Sequence, residues 1–156
     1  MKRALAFGLV AAQIALLATL LLVPRGSLWP ENLLVFIVAI LLVVAGAMLA
    51  VLGMVSLGPA LTASPIPREH APLATHGVYG YMRNPIYTGL IAVGLGLALL
   101  GASVWHLLAW VALVLLLAIK ARWEERMLIA EHSDYAGYGA RVGRFLPGVG
   151  RLRPRD

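Results

Sequence analysis

No cysteine occurs in the chain. Disulfides, thiolate nucleophiles and cysteine metal ligands are excluded, and the redox compartment is left undecided. Charge is scarce too: 13% of the 156 residues are Asp, Glu, Lys or Arg, about half the share in a soluble domain. The four histidines, His70, His76, His106 and His132, form neither an H-E-x-x-H nor a close pair, so no metal site is expected. There is no G-x-G-x-x-G, no phosphate-binding P-loop and no G-x-S-x-G turn. The common signatures of dinucleotide, nucleotide and acyl-transfer sites are therefore missing. Repeats and low-complexity stretches are missing as well.

What the chain has in excess is apolar surface. Hydrophobic residues make up 61%, and the mean hydropathy is +0.87. A domain of this length still exposes about a third of its unfolded surface, so one small core cannot hide that excess. An ordinary soluble domain and a disordered chain are both excluded, and an integral membrane protein is expected. Four uncharged stretches supply the spans, at 4–23, 33–58, 86–102 and 104–119. The first covers roughly 30 Å at helical rise, the thickness of a bilayer core. It is too long for the apolar region of a signal peptide and has no A-x-A-like site after it, so a retained helix is expected. The last two are separated only by Ser103 and read as a tight helical hairpin. The expected fold is all-α: four transmembrane helices in a single membrane domain over 1–156, with a cytosolic amphipathic C-terminal helix and tail.

Lys and Arg placement sets the orientation. With four spans, one side receives Lys2, Arg3, Arg68, Arg83, Lys120, Arg122, Arg126, Arg141, Arg144, Arg151, Arg153 and Arg155, and the other receives only Arg25. Both termini are thus expected in the cytoplasm, with the net charge of +6 gathered beside anionic headgroups. Basic residues that follow membrane ends, without a recognition motif, give no reason to expect nucleic acid. The richness in Ala, Leu, Arg and Gly suggests a bacterial inner membrane. Neither oligomeric state nor acceptor is specified.

Polar chemistry is confined to two inner segments, the loop 59–85 and the tail 120–156. They flank the hairpin, so a short turn brings them together at one face. In the first segment, Gly77 permits a positive φ or close backbone approach. Pro85 sits where the third span begins, the helical position proline tolerates. Tyr79, Tyr81 and Tyr87 suit the headgroup region. These residue types also fit a plain interfacial re-entry loop. In the second segment, Glu124 and Glu125 follow the fourth span. Adjacent helical positions diverge by about 100°, so only one can point straight into a given pocket. Flanking Arg122 and Arg126 could equally neutralise both in a solvated turn.

Taken together, LATHGVYGYMRNPIYTG and EERMLIAEHSDYAGYGARVGRFLPG resemble the isoprenylcysteine carboxyl methyltransferase and phospholipid methyltransferase superfamily. The matching positions are Gly77 and Tyr79; Arg83, Pro85, Tyr87 and Gly89; Glu124, Glu125 and Leu128; Tyr135 and Tyr138; and Val142, Arg144 and Pro147. They extend over 70–150. Asn84 stands where the family pattern has histidine, and an amide cannot take up a proton near neutral pH. The F-G position reads His132-Ser133, one residue nearer to Tyr135 than in the pattern.

The resemblance implies S-adenosylmethionine bound at the cytosolic helix ends, beneath the C-terminal tail, with a lipophilic acceptor entering from the membrane lipids. It implies cofactor contacts from Pro72, Leu73, Ala74, Gly77, Tyr79, Asn84, Pro85, Ile86, Tyr87, Glu124 and Glu125. It assigns catalytic roles to Arg83, Tyr87 and Glu125, and substrate-binding roles to Lys120 and Arg122. A carboxylate suits the ribose hydroxyls or the cofactor amino group. Tyrosine faces suit a sulfonium cation, and a guanidinium or ammonium suits a carboxylate or an anionic headgroup. Carboxylate, amine and thiol acceptors all stay open. Two other classes compete: an NADPH-dependent membrane lipid reductase, and a non-catalytic scaffold. The small-residue pairs Ala92/Gly96 and Gly94/Ala98 on the third span would give a scaffold its packing surface.

Overall fold

The structure, a computed structural model, describes residues 2–58 and 72–152. Arg68, His70, Arg153 and Arg155, invoked above, lie outside the described residues. Among the described residues five helices follow one another: α1 (Lys2–Leu22), α2 (Leu33–Leu57), α3 (Pro85–Gly101), α4 (Val104–Glu131) and α5 (Tyr135–Arg141), with a 3₁₀ turn over Gly77–Gly80 before α3. Among the described residues there is no strand, only isolated bridges between Met82 and Gly143 and between Leu146 and Val149.

Local chemistry explains each boundary. Asn32 caps α2 by accepting from the Val35 N–H at 2.9 Å. Pro85 opens α3, where its missing N–H costs nothing. The expected hairpin turn is two residues long: Ala102 takes a left-handed conformation and Ser103 caps α4. His106 is buried against this turn, with its Nδ1 2.8 Å from Ser103 Oγ. The loop after α1 crosses the same turn. There the Gly26 and Leu28 N–H groups donate to Gly101 and Ala102 carbonyls at 2.8 and 2.9 Å.

Among the described residues three helices are long and apolar enough to cross a membrane: α1 from Ala4, α2 and α4. The third expected span, α3, is a shorter apolar helix of 17 residues. α4 runs unbroken for 28 residues, so the polar, helix-like stretch from Lys120 prolongs the fourth span. No glycine or proline interrupts Val104–Glu131, and Ala, Arg, Glu, Met and Leu all favour helix regardless of hydropathy. The short α5 follows as the distinct C-terminal helix.

The α2–α3 contact is the closest in the bundle. A Cβ added at Gly46 would lie 2.6 Å from the Gly89 carbonyl oxygen, and one at Gly96 would lie 2.6 Å from that of Ala39. Backbones therefore meet without intervening side chains, as is usual where no hydrophobic drive separates helix from lipid. Leu20, Ala98, Ala109, Leu113 and Leu117 form the buried apolar core between α1, α3 and α4.

Candidate active site

Two polar clusters lie side by side at the end of the hairpin remote from its turn. The first is centred on Glu125, which is 3% exposed. Arg83 Nε donates to its Oε1 at 3.1 Å, Asn84 Nδ2 donates to the same oxygen at 3.2 Å, and Arg144 grips both oxygens, the shortest contact being 2.8 Å to Oε2. Arg83 does more than pair with a charge. Its guanidinium also donates to the carbonyls of Gly139 (2.9 Å), Val142 and Gly150 (3.0 Å). Main chain adds to the clasp: Arg83 and Asn84 N–H groups reach the Gly143 and Arg144 carbonyls at 2.8 and 3.0 Å. The Thr88 hydroxyl, not anticipated from sequence, donates to the Phe145 carbonyl at 2.8 Å. Residues 82–88 and 139–150 are thus tied together, with Glu125 as the common acceptor. A buried carboxylate facing two guanidiniums meets the requirement that an interior charge be both paired and hydrogen-bonded.

An aromatic layer backs this clasp. Tyr135 and Tyr138 meet edge-to-face at 5.7 Å, and Tyr138 donates to the Tyr79 carbonyl at 2.7 Å. Leu73 and Leu128 pack against them. Burial pushes the Tyr138 phenol up to about 12, with Glu125 adding to the rise and Arg83 opposing it. Burial likewise raises Tyr79 and Tyr135. All three remain neutral at any physiological pH.

The second cluster lies one helical position back on α4. Tyr87 donates to Glu124 Oε1. Lys120, 3% exposed, donates to Gln13 Oε1 on α1 at 2.6 Å and stands 5.0 Å from the Tyr87 ring centre. The ammonium is thereby satisfied by an amide, a ring face and a nearby carboxylate. Gln13 was not foreseen. Its signal was available, since an amide inside an uncharged span is costly without a partner.

The remaining expected positions divide. Asn84 and Pro85 are buried, and Ile86 packs on Gly53 of α2, where an added Cβ would meet its Cγ1 at 2.7 Å. Gly77 adopts φ +59°, and a side chain there would meet Ser56 Oγ. Leu73 and Ala74 are half-buried and Pro72 is exposed, all three on irregular chain leading to the 3₁₀ turn. Arg122 joins neither cluster; it is exposed, on the opposite side of α4. Among the described residues no group of His, Asp and Glu could hold a metal ion.

An all-helical chain with three membrane-length apolar helices, and its buried charges gathered at one end of the bundle, is a membrane protein with a polar site at one end. The sequence matches the family described as phospholipid methyltransferase over residues 34–134. This is more than half of the chain, which therefore belongs to the phospholipid methyltransferase family, a family of membrane methyltransferases. The match takes in α2, α3 and α4 with both acidic residues, and ends before Arg144. No curated protein and no solved structure matches the chain.

Proposed function

We propose that this protein is an integral membrane methyltransferase that draws its methyl group from S-adenosylmethionine and transfers it to a lipophilic acceptor. The four apolar helices are taken as its spans, with both termini on the cytoplasmic side. The observation that carries the reading is the Tyr87–Glu124–Lys120 cluster beside the tail clasp, inside the region shared with the family.

The donor set fits the cofactor's chemistry. S-adenosylmethionine carries an ammonium, a carboxylate, a ribose diol and a sulfonium. The cluster offers a carboxylate with one oxygen bound to Tyr87, an ammonium at Lys120, and the rings of Tyr79 and Tyr87. Glu124 would accept from the ribose hydroxyls or the amino group, and Lys120 would hold the carboxylate. Tyrosine faces would flank the sulfonium, and the main chain of Pro72, Leu73, Ala74 and Gly77 would border the adenosine. When bound, the cofactor supplies a methyl on cationic sulfur: the acceptor lone pair forms the new bond to carbon while the C–S pair passes to sulfur.

No covalent enzyme intermediate is needed, so the residues act by alignment and exclusion of water, effects worth several kcal/mol. Arg83, Glu125 and Asn84, expected at the cofactor or the reacting atoms, enter this proposal as positioning residues that hold the tail over the site. Tyr87 and Glu124 are the groups assigned to the reaction. A carboxylate acceptor requires no base, whereas an amine or thiol must first lose a proton, and Glu124 is the acceptor available to take it.

Calorimetric titration of the purified protein, in detergent and in lipid nanodiscs, with S-adenosylmethionine and S-adenosylhomocysteine tests the proposal. Saturable one-to-one binding is expected, weakened about tenfold by Glu124→Gln or Tyr87→Phe, the scale of one hydrogen bond to a charged group. Absence of binding to folded protein in nanodiscs, or binding of NADPH in its place, overturns it.

A further inference from the structure

On the outward side of the α1–α4 seam runs a groove of about 350 Å³, lined by Leu5 and Leu9 of α1 and by Ile119, Arg122, Trp123 and Arg126 of α4. The four α4 residues fall at i, i+3, i+4 and i+7, one continuous face. Lys120, Ala121, Glu124 and Glu125 occupy the opposite face, so the groove is separate from the clusters described above. It is graded along its length. Leu5 and Ile119 expose more than half of their surface, Trp123 is half-buried, and Arg122 and Arg126 are exposed a single turn apart. Among the described residues neither arginine makes an ion pair: Glu125 is held by Arg83 and Arg144, and Glu124 by Tyr87.

We infer that this groove holds one anionic phospholipid, its phosphate between Arg122 and Arg126 and an acyl chain along Leu5, Leu9 and Ile119. Charge complementarity selects the occupant. Two guanidiniums one turn apart, without an ion-pair partner among the described residues, form a fork for phosphate oxygens, and the tryptophan beside them is the residue that favours headgroup depth. The apolar floor continues along the helices into the hydrocarbon, where a chain can follow and a soluble anion gains nothing. A zwitterionic lipid brings its own cation to the same place and forfeits part of the attraction.

The test is retention of lipid by the full-length protein in detergent micelles. The protein is supplied with dioleoylphosphatidylglycerol or dioleoylphosphatidylcholine and the complexes are counted by native mass spectrometry. One phosphatidylglycerol per chain is expected, preferred over phosphatidylcholine about thirtyfold, the scale of two basic residues at an anionic surface. Arg122→Gln with Arg126→Gln removes the preference, and Arg122→Lys with Arg126→Lys keeps most of it. A wild-type arm depends on no variant's folding: brominated phosphatidylglycerol quenches tryptophan emission more than brominated phosphatidylcholine. A separate Trp123→Phe variant removes that difference. Equal retention of both lipids, a preference that survives both glutamines, or displacement of the lipid by an equal concentration of inorganic phosphate overturns the inference.

Discussion

Glu125 accepts from three side chains, two of them cationic, and its neighbour Glu124 accepts from a tyrosine. The consequences of removing each differ accordingly. Glu125→Ala leaves Arg83 buried without its counter-charge and facing Arg144, and a broken buried pair of this kind costs about 3–5 kcal/mol. The expected outcome is release of the tail, read as rapid proteolysis after Arg141 or Arg144 and a lowered midpoint of thermal unfolding. Arg83→Gln should be more damaging than Arg144→Gln. Arg83 also holds three carbonyls, and its side chain is fully buried, whereas that of Arg144 is 22% exposed. If Arg144→Gln proves the worse of the two, carbonyl bonding is not what distinguishes them. From sequence, Arg83, Glu124 and Glu125 could be singled out as chemistry-bearing. Their division of labour could not be read, because about 100° between adjacent helical positions says that two carboxylates face different ways without saying what each faces. Only the tail's return path decides it, and that path depends on contacts between residues some sixty positions apart, such as Arg83 with Val142.

The helices obey simpler rules, and more of them could be read in advance. Uncharged length located all four apolar helices, while Pro85 and Ser103 marked the start of α3 and of α4. The apolar stretch stops at Lys120 while α4 runs on to Glu131, because hydropathy changes there and helix propensity does not. Close packing of α2 on α3 was also out of reach, since the small-residue spacing on α3 names no partner. The structure names it. A Cβ at Gly89 would press on the Gly46 carbonyl and lie 2.8 Å from the Ala50 nitrogen, both main-chain atoms that cannot rotate away. Gly89→Val should therefore force α2 and α3 apart at a cost of roughly 1–3 kcal/mol or more. Gly8, which has open space around it, provides the contrast: Gly8→Ala should leave the unfolding midpoint unchanged or raise it slightly. Thermal scans of the two variants in the same detergent check both, and equal midpoints would mean that α2 and α3 can separate freely.

At the scale of the whole molecule, helix lengths fix where the site falls. From the Ala102–Ser103 turn, α3 rises about 25 Å over its 17 residues, slightly less than a bilayer core of about 30 Å. The longer α4 carries Lys120, Glu124 and Glu125 to the same level as Tyr87 and Arg83, and then continues outward with Arg126. Apolar helices therefore run on one side of the clusters and the polar tail lies on the other, an arrangement that fits the water-soluble cofactor and lipid acceptor proposed above. Charge gives the arrangement its direction. Arg83, Lys120, Arg122, Arg126 and Arg144 share the site end, while the loop beside the hairpin turn carries Arg25 alone, a bias that supports the proposed cytoplasmic placement of the site end. The lack of cysteine makes this directly measurable, because any introduced cysteine is the only thiol. Ser27 and Ser133 are both exposed, one on the loop at the hairpin turn and the other between α4 and α5. In intact cells a membrane-impermeant maleimide should label Ser27→Cys and should reach Ser133→Cys only after permeabilisation. The reverse pattern would place the clusters outside, away from any cytoplasmic supply of cofactor, and labelling of both from one side would mean that α3 and α4 do not cross as a pair.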